Sequence, residues 1–255
     1  MTQNDLYLQW LSEEQAAYIH GWDFSHIQDR YEECQSLPWD YGQAVHDFLR
    51  PTHRILDMDT GGGEFLLSLG HPHSLTAATE GYPPNIALCR KVLLPLGIDF
   101  RGADGGGPLP FPDESFDLVL NRHGDYLPSE ILRVLKPGGI FLTQQVGAEN
   151  DRDLVELLLN PAPPLPFPEQ YLDIARKKLE FLGLRILEAQ ESFQPIRFRD
   201  TGALVWFARI IAWEFPGFSV EACREQLLNA QALLERDGVI QGTAHRYFLV
   251  AEKVG

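Results

Sequence analysis

The run Arg54–Met58 (RILDM) is short, apolar and stops at three consecutive glycines, Gly61, Gly62 and Gly63, before a helical stretch opens at Glu64. A buried run that ends in glycine and gives way to a helix reads as a parallel strand turning into its crossover. The same beat repeats downstream. Leu75–Thr79 is a second strand, followed by Pro83 and Pro84 in the first turn of a helix, where proline is tolerated. Ile98–Arg101 is a third and Phe116–Asn121 a fourth. Ser129–Leu135 reads as a helix, the four residues 136–139 (KPGG) as a turn, and Ile140–Val146 as a fifth strand. Strands alternating with helices at this spacing predict an α/β fold with a doubly wound, mostly parallel sheet. Such a sheet binds its ligand beyond the carboxyl ends of the strands, where the strand order reverses.

Elsewhere the pattern loosens. Ser12-Glu13-Glu14-Gln15 reads as a capping box opening a helix that runs to about Glu33, and a short helix is expected from Tyr41 to Leu49. The proline-rich stretch Asn160–Pro168 is a linker, followed by an amphipathic helix from Glu169 to Leu182 and an alternating strand from Leu184 to Glu191. Thr201–Trp213 is apolar and aromatic, a buried helix or a lid. Val220–Arg236 is helical and Tyr247–Glu252 a closing strand. The expected division is a helical cap over 1–50 and one domain over 51–255, with a helical insertion at about 195–218. Two late strands added to the first five make the sheet seven-stranded.

Composition limits the function classes. The 255 residues carry 21 basic and 36 acidic side chains, a net charge of -15, so a phosphate backbone finds no excess of cations and nucleic acid is not the expected partner. A cationic or neutral small molecule suits this field better. Cys34, Cys89 and Cys223 show no metal-ligand spacing, no metal site is expected, and an odd, sparse set suits a reducing compartment. The acidic N-terminus has no continuous apolar stretch and no run spans a membrane, so a cytoplasmic location is expected.

The strongest chemical signal is Asp57-Met58-Asp59-Thr60-Gly61-Gly62-Gly63. Glycines let backbone amides approach a ligand, and the helix that follows offers free N–H groups. The spacing departs from the G-x-G-x-x-G of nicotinamide dehydrogenases. Four further stretches follow in order: Glu80 ending the second strand, Asp104 within Arg101–Gly105, the run 109–119 (LPFPDESFDLV), and the run 132–139 (LRVLKPGG).

Together these resemble the class I S-adenosylmethionine-dependent methyltransferases, whose first motif is an acidic strand end followed by G-x-G-x-G and whose later runs read LPF-x-D-x-SFD-x-V and RVLKPGG. The resemblance covers about residues 45–150. It implies a Rossmann-like methyltransferase fold, S-adenosylmethionine as cofactor, and methyl transfer to a small-molecule acceptor. It places Asp57, Thr60, Gly61 and Gly63 at the cofactor, Glu80 and Gly81 at its ribose, and Asp104 and Gly105 at its adenine. Asp59 stands where the family has its first glycine, with the cofactor's ammonium group as its expected partner. Each acid also has a plainer reading, Glu80 as a solvated surface carboxylate and Asp104 as a turn former.

The fourth-strand exit, Asn121-Arg122-His123-Gly124-Asp125-Tyr126, lies where the family puts residues near the transferred methyl. Asn121 and Arg122 are candidate cofactor contacts. Arg122 is also a candidate for holding an anionic substrate group, or else an ion-pair partner. His123 is the candidate general base, its ordinary pKa being near neutrality, with local packing as the alternative. Asp125 is a base or a helix cap, the cap favoured. Trp39, Tyr41, Phe198, Trp206, Phe207, Trp213, Phe215 and Phe218 either wall an acceptor pocket or pack the core. Other functional readings are an RNA or protein methyltransferase, and a non-catalytic module binding S-adenosylmethionine or S-adenosylhomocysteine.

Overall fold

The structure, a computed structural model, describes residues 2–18, 23–34 and 36–255. In chain order the helices and strands begin with α1 (Gln3–Ala16), β1 (Tyr31–Glu33), α2 (Tyr41–Phe48), β2 (Ile55–Met58) and α3 (Glu64–Ser68). Next come β3 (Thr76–Glu80), α4 (Pro83–Val92), β4 (Asp99–Gly102), β5 (Phe116–Arg122), α5 (Pro128–Val134) and β6 (Leu135–Val146). The chain closes with α6 (Arg152–Leu158), α7 (Leu172–Phe181), β7 (Leu184–Phe198), α8 (Thr201–Ile210), α9 (Arg224–Asp237) and β8 (Ile240–Lys253).

These elements fall into two units, each discontinuous. One takes Pro38–Gly147, Glu169–Glu191 and Arg246–Gly255; the other takes the chain to Leu37, Ala148–Pro168 and Ser192–His245. The break expected at residue 50 therefore falls before Pro38, and α2 belongs with the sheet rather than with a cap.

In the first unit the strand order is β7-β8-β6-β5-β2-β3-β4. From β6 to β4 all neighbours are parallel, while β8 lies antiparallel to β6. The mostly parallel sheet read from the sequence is present, but with β1 paired to the end of β7 it has eight strands rather than the seven expected. Its centre is apolar because both faces are covered: every residue of β2 is buried, and Leu56, Ala77, Val119, Phe141 and Leu249 join one core with helix residues Ile131, Val134 and Leu179. The chain lays down β2, β3 and β4 in one direction and then returns to place β5 on the other side of β2. That reversal marks the place, beyond the carboxyl ends of β2 and β5, where sheets of this kind bind their ligands.

The second unit is mainly helical. Its core gathers Leu6 and Trp10 of α1, Leu154, Val155 and Leu158 of α6, the buried face of α8, and Leu227 and Ala230 of α9. Tyr31–Glu33 pairs antiparallel with Ile196–Phe198 inside it. Asp200 caps α8 by accepting from the Ala203 amide at 2.8 Å. The expected helix start at Ser12 is corrected here. The capping box is Thr2 with Asp5, their reciprocal bonds measuring 3.2 and 2.9 Å, and Ser12 lies inside α1. The helix ends at Ala16. Of its expected continuation, residues 19–22 lie outside the described residues, and Tyr31–Glu33 is strand. Among the described residues no helix is long and apolar enough to cross a membrane.

Candidate active site

The turn after β2 is fixed by its own backbone. The Thr60 amide donates to Thr79 O at 3.0 Å and the Gly63 amide to Thr60 O at 3.1 Å, tying the loop to the neighbouring strand. Gly61 and Gly63 both sit at positive φ (65° and 86°), which only glycine adopts without strain. They differ in surroundings. A β-carbon at Gly63 would strike Leu93 of the packed interior, whereas one at Gly61 meets nothing within 4 Å. Gly61 thus presents an open backbone face, the surface a ligand would cover.

Carboxylates ring this loop. Asp57 is buried and accepts from the Thr60 hydroxyl at 2.6 Å. Burial pushes its carboxyl up to about 6, against the opposing pull of Thr60 and Arg122. Glu80, also buried, accepts from the Gly61 amide and the Tyr82 amide, each at 2.8 Å. It is not the solvated surface side chain of the plainer reading. Asp104 is that: exposed, with its carboxylate accepting from the Gly106 amide at 2.9 Å, it forms a turn. A β-carbon on Gly81 would lie 3.2 Å from Asp104 Cα, so this glycine lets the two loops touch.

Asp59 occupies the left-handed region (φ 52°), a conformation aspartate tolerates. Two glycines make room for its side chain. A β-carbon at Gly105 would lie 2.9 Å from Asp59 Oδ2, and one at Gly124 would lie 2.6 Å from Asp59 Cβ. Burial, with the charges of Glu80, Asp104, Asp125 and Asp57, pushes the Asp59 carboxyl up to about 7. The loop therefore carries more negative charge than its surroundings neutralise.

The strand exit of β5 is built from amides. Asn121 is fully buried, and its Oδ1 accepts from the Thr143 hydroxyl at 3.2 Å and from the Gln145 amide. Gln145 Nε2 also donates to Gly124 O at 2.9 Å, pinning the loop. Asn121 is thus a structural anchor. Arg122 is exposed and stacks its guanidinium over Phe65, 4.9 Å from the ring centre, and over Tyr41 at 5.8 Å. His123 sits at φ 63° with its amide donating to Gln144 O at 2.8 Å. Its ring Nε2 lies 3.1 Å from Gln144 Nε2. Surrounding protein, then the guanidinium charges of Arg246 and Arg122, hold its pKa below that of an ordinary imidazole, although the residue as a whole is exposed.

The structure thus gathers Asp57, Asp59, Thr60, Gly61, Gly63, Glu80, Gly81, Asp104 and Gly105 at the ends of β2, β3 and β4, and Asn121, Arg122 and His123 at the end of β5. Gln144 and Gln145 were missed by the sequence reading; their signal is two adjacent glutamines closing an otherwise apolar strand. Of the aromatic candidates, Phe198, Trp206, Phe207, Phe215 and Phe218 are core residues of the helical unit, none more than 4% exposed, while Trp213 is exposed. Among the described residues no group of acidic, histidine or cysteine side chains could hold a metal ion.

The residues present fit an adenosyl-sulfonium cofactor. Such a molecule carries a sulfonium and an ammonium against one carboxylate, and an excess of positive charge is what the Asp57–Asp59–Glu80 surroundings lack. The open face at Gly61 supplies backbone for it.

Residues 56–143 match a family model described as a methyltransferase domain. Over 88 residues the chain is 39% identical to the phthiotriol/phenolphthiotriol dimycocerosates methyltransferase of Mycobacterium tuberculosis, covering 32% of each protein. It is 33% identical over 99 residues to the fatty-acid O-methyltransferase of Mycolicibacterium smegmatis, covering 35% of each. The chain spans about a third of the length of these relatives. Among solved structures, a putative methyltransferase from Bacillus halodurans superposes with a TM-score of 0.59 at 18% identity, over 85% of this chain and 99% of that one. A functionally unknown protein from Deinococcus radiodurans gives 0.60 at 17%, over 96% and 97%. Over residues 56–143 the chain matches the methyltransferase-domain model, and its fold is the one these solved structures share.

Proposed function

We propose that the protein is an S-adenosylmethionine-dependent methyltransferase whose acceptor is an oxygen atom of a lipid-like small molecule. The observation that carries the first half is the under-neutralised, open-faced loop at the reversal of strand order, with Asp59 pushed up to about 7 by burial and four neighbouring carboxylates. Bound there, the cofactor supplies a methyl group already activated by its sulfonium. What the chain adds is orientation and exclusion of water. In this reading the amide-bonded Glu80 faces the ribose, the Thr60–Gly63 backbone the methionine end, Asp59 the ammonium group, and Asp104 with Gly81 and Gly105 the adenine. The acceptor class is supported by the relatives, a phthiotriol/phenolphthiotriol dimycocerosates methyltransferase and a fatty-acid O-methyltransferase. The net charge of -15 argues against nucleic acid, and a cytoplasmic enzyme fits the sparse free cysteines.

Titration calorimetry with S-adenosylhomocysteine tests the cofactor site. The wild type binds, and Glu80→Gln weakens binding roughly tenfold by removing a charged acceptor. Absence of binding by the wild type overturns the reading. Asp59 in a glycine place favours one second reading, a module that binds the cofactor without turning it over. Tritiated methyl transfer into the small-molecule fraction of a cell extract excludes that module; tight binding without transfer selects it.

A further inference from the structure

Hydrogen bonding at Gln144 of β6 points to which nitrogen of His123 carries its proton. The Trp39 indole N–H can only donate, and it reaches Gln144 Oε1 at 2.7 Å. The Gln144 amide is thereby oriented, since its oxygen must face Trp39 and its NH2 must face the other way. That NH2 stands 3.1 Å from His123 Nε2. Two donors cannot bond to one another, so Nε2 presents its lone pair and the proton sits on Nδ1.

The relay is rigid. Trp39 is buried and stacks on Phe248 at 5.8 Å. Gln144 is buried on β6, and the backbone bond from the His123 amide to Gln144 O fixes the ring's base. Among the described residues nothing bonds Nδ1, and the residue is exposed. The charged groups felt at this ring are the guanidiniums of Arg122, beside it in the chain, and Arg246 on β8.

We infer that His123 works as a neutral Nδ1–H donor rather than as a base, and that with Arg122 it forms a subsite for the carboxylate of a lipid-like methyl acceptor. The inference rests on the methyltransferase reading for its acceptor half only. A carboxylate oxygen already owns the lone pair it needs: the O–C bond forms, the S–C bond breaks, and its electron pair stays on sulfur. No proton leaves, so an imidazole with its lone pair committed to Gln144 loses nothing by being unable to accept one. An N–H donor beside guanidinium charge fixes such a carboxylate.

The test uses the full chain with ¹⁵N-labelled histidine and long-range proton–nitrogen correlation spectra, His123 being identified by its loss in His123→Asn, which tolerates positive φ. Wild type is expected to show a protonated Nδ1 and a bare Nε2 from pH 8 down to pH 5. Gln144→Glu keeps the Trp39 bond but turns an acceptor toward the ring, and is expected to move a proton onto Nε2. A wild-type Nε2–H, or an imidazolium at pH 6.5, overturns the inference, as does a Gln144→Glu spectrum like wild type. Octanoate, titrated with S-adenosylhomocysteine present, is expected to shift the His123 Nδ1 signal and to bind roughly tenfold more weakly to His123→Asn, while octanol leaves the signal in place. Octanoate that fails to bind, or that binds both proteins equally, overturns the subsite. Calorimetry with S-adenosylhomocysteine on the same samples keeps the two ideas separable: its failure strikes the methyltransferase reading and leaves the tautomer result standing.

Discussion

Replacing Asp59 by asparagine should stabilise the protein, and more so the higher the pH. The carboxyl rises from an ordinary 3.8 to about 7 in the folded chain, chiefly through burial and then through four acidic neighbours. The folded state therefore binds more protons than the unfolded one between about pH 4 and pH 7. Stability attached to this group is intact below that window, falls as pH rises through it, and stays lost above it. A tenfold step in acidity is worth about 1.4 kcal/mol, so full expression would come to about 4 kcal/mol. Asp59 keeps partial contact with solvent, which reduces the figure to about 2 kcal/mol. Asparagine tolerates the same left-handed backbone and fills the same space between Gly105 and Gly124. Urea unfolding at pH 8.5 should thus show Asp59→Asn more stable than wild type by about 2 kcal/mol, and at pH 5 by less than half of that. An equal gain at both pH values would mean that shape, not charge, is at work. No gain at pH 8.5 would refute the account of an under-neutralised loop.

Gly124→Ala would drive a β-carbon to within 2.6 Å of Asp59 Cβ and should lower stability by about 2 kcal/mol, with the double variant Asp59→Gly, Gly124→Ala recovering most of it in the same unfolding assay. If the second change restores nothing, the two residues do not share the space described. In the helical unit, Thr201 accepts from the Trp10 indole at 2.7 Å and donates to Gln231 at 2.9 Å. Thr201→Val leaves a buried N–H unpaired and should cost about 2 kcal/mol in urea unfolding; a change below about 0.5 kcal/mol would show that the bond contributes nothing.

The sheet was legible because its cues are local. Gly61–Gly63 and Pro83–Pro84 punctuate apolar runs that have nowhere to go but a buried parallel strand, and the seven expected strands are present, although residues 136–139, expected as a turn, lie inside β6 where its register with β5 shifts. The glycine loop was legible for the same reason. The N-terminal region was not, because Thr2-x-x-Asp5 and Ser12-x-x-Gln15 offer the same capping pattern, and what decides between them is the burial of Leu6 and Trp10 against distant α8. Strand β1 has three residues and exists by pairing with residues 196–198, a partner no window of sequence contains. The Trp39–Gln144–His123 relay failed to show for a similar reason: its members stand 105 and 21 positions apart. Histidine at that place suggests a base, and only the direction of an indole N–H two links away argues otherwise.

The chain passes from one unit to the other five times, and at two of those passages the crossing point lies inside a single strand, β7 or β8. No pair of cuts can therefore release either half intact. A deletion at the amino end strips Leu6 and Trp10 from the helical interior, while a deletion at the carboxyl end removes the antiparallel neighbour of β6. Anyone seeking a minimal catalytic fragment by trimming will meet a molecule that has no dispensable end.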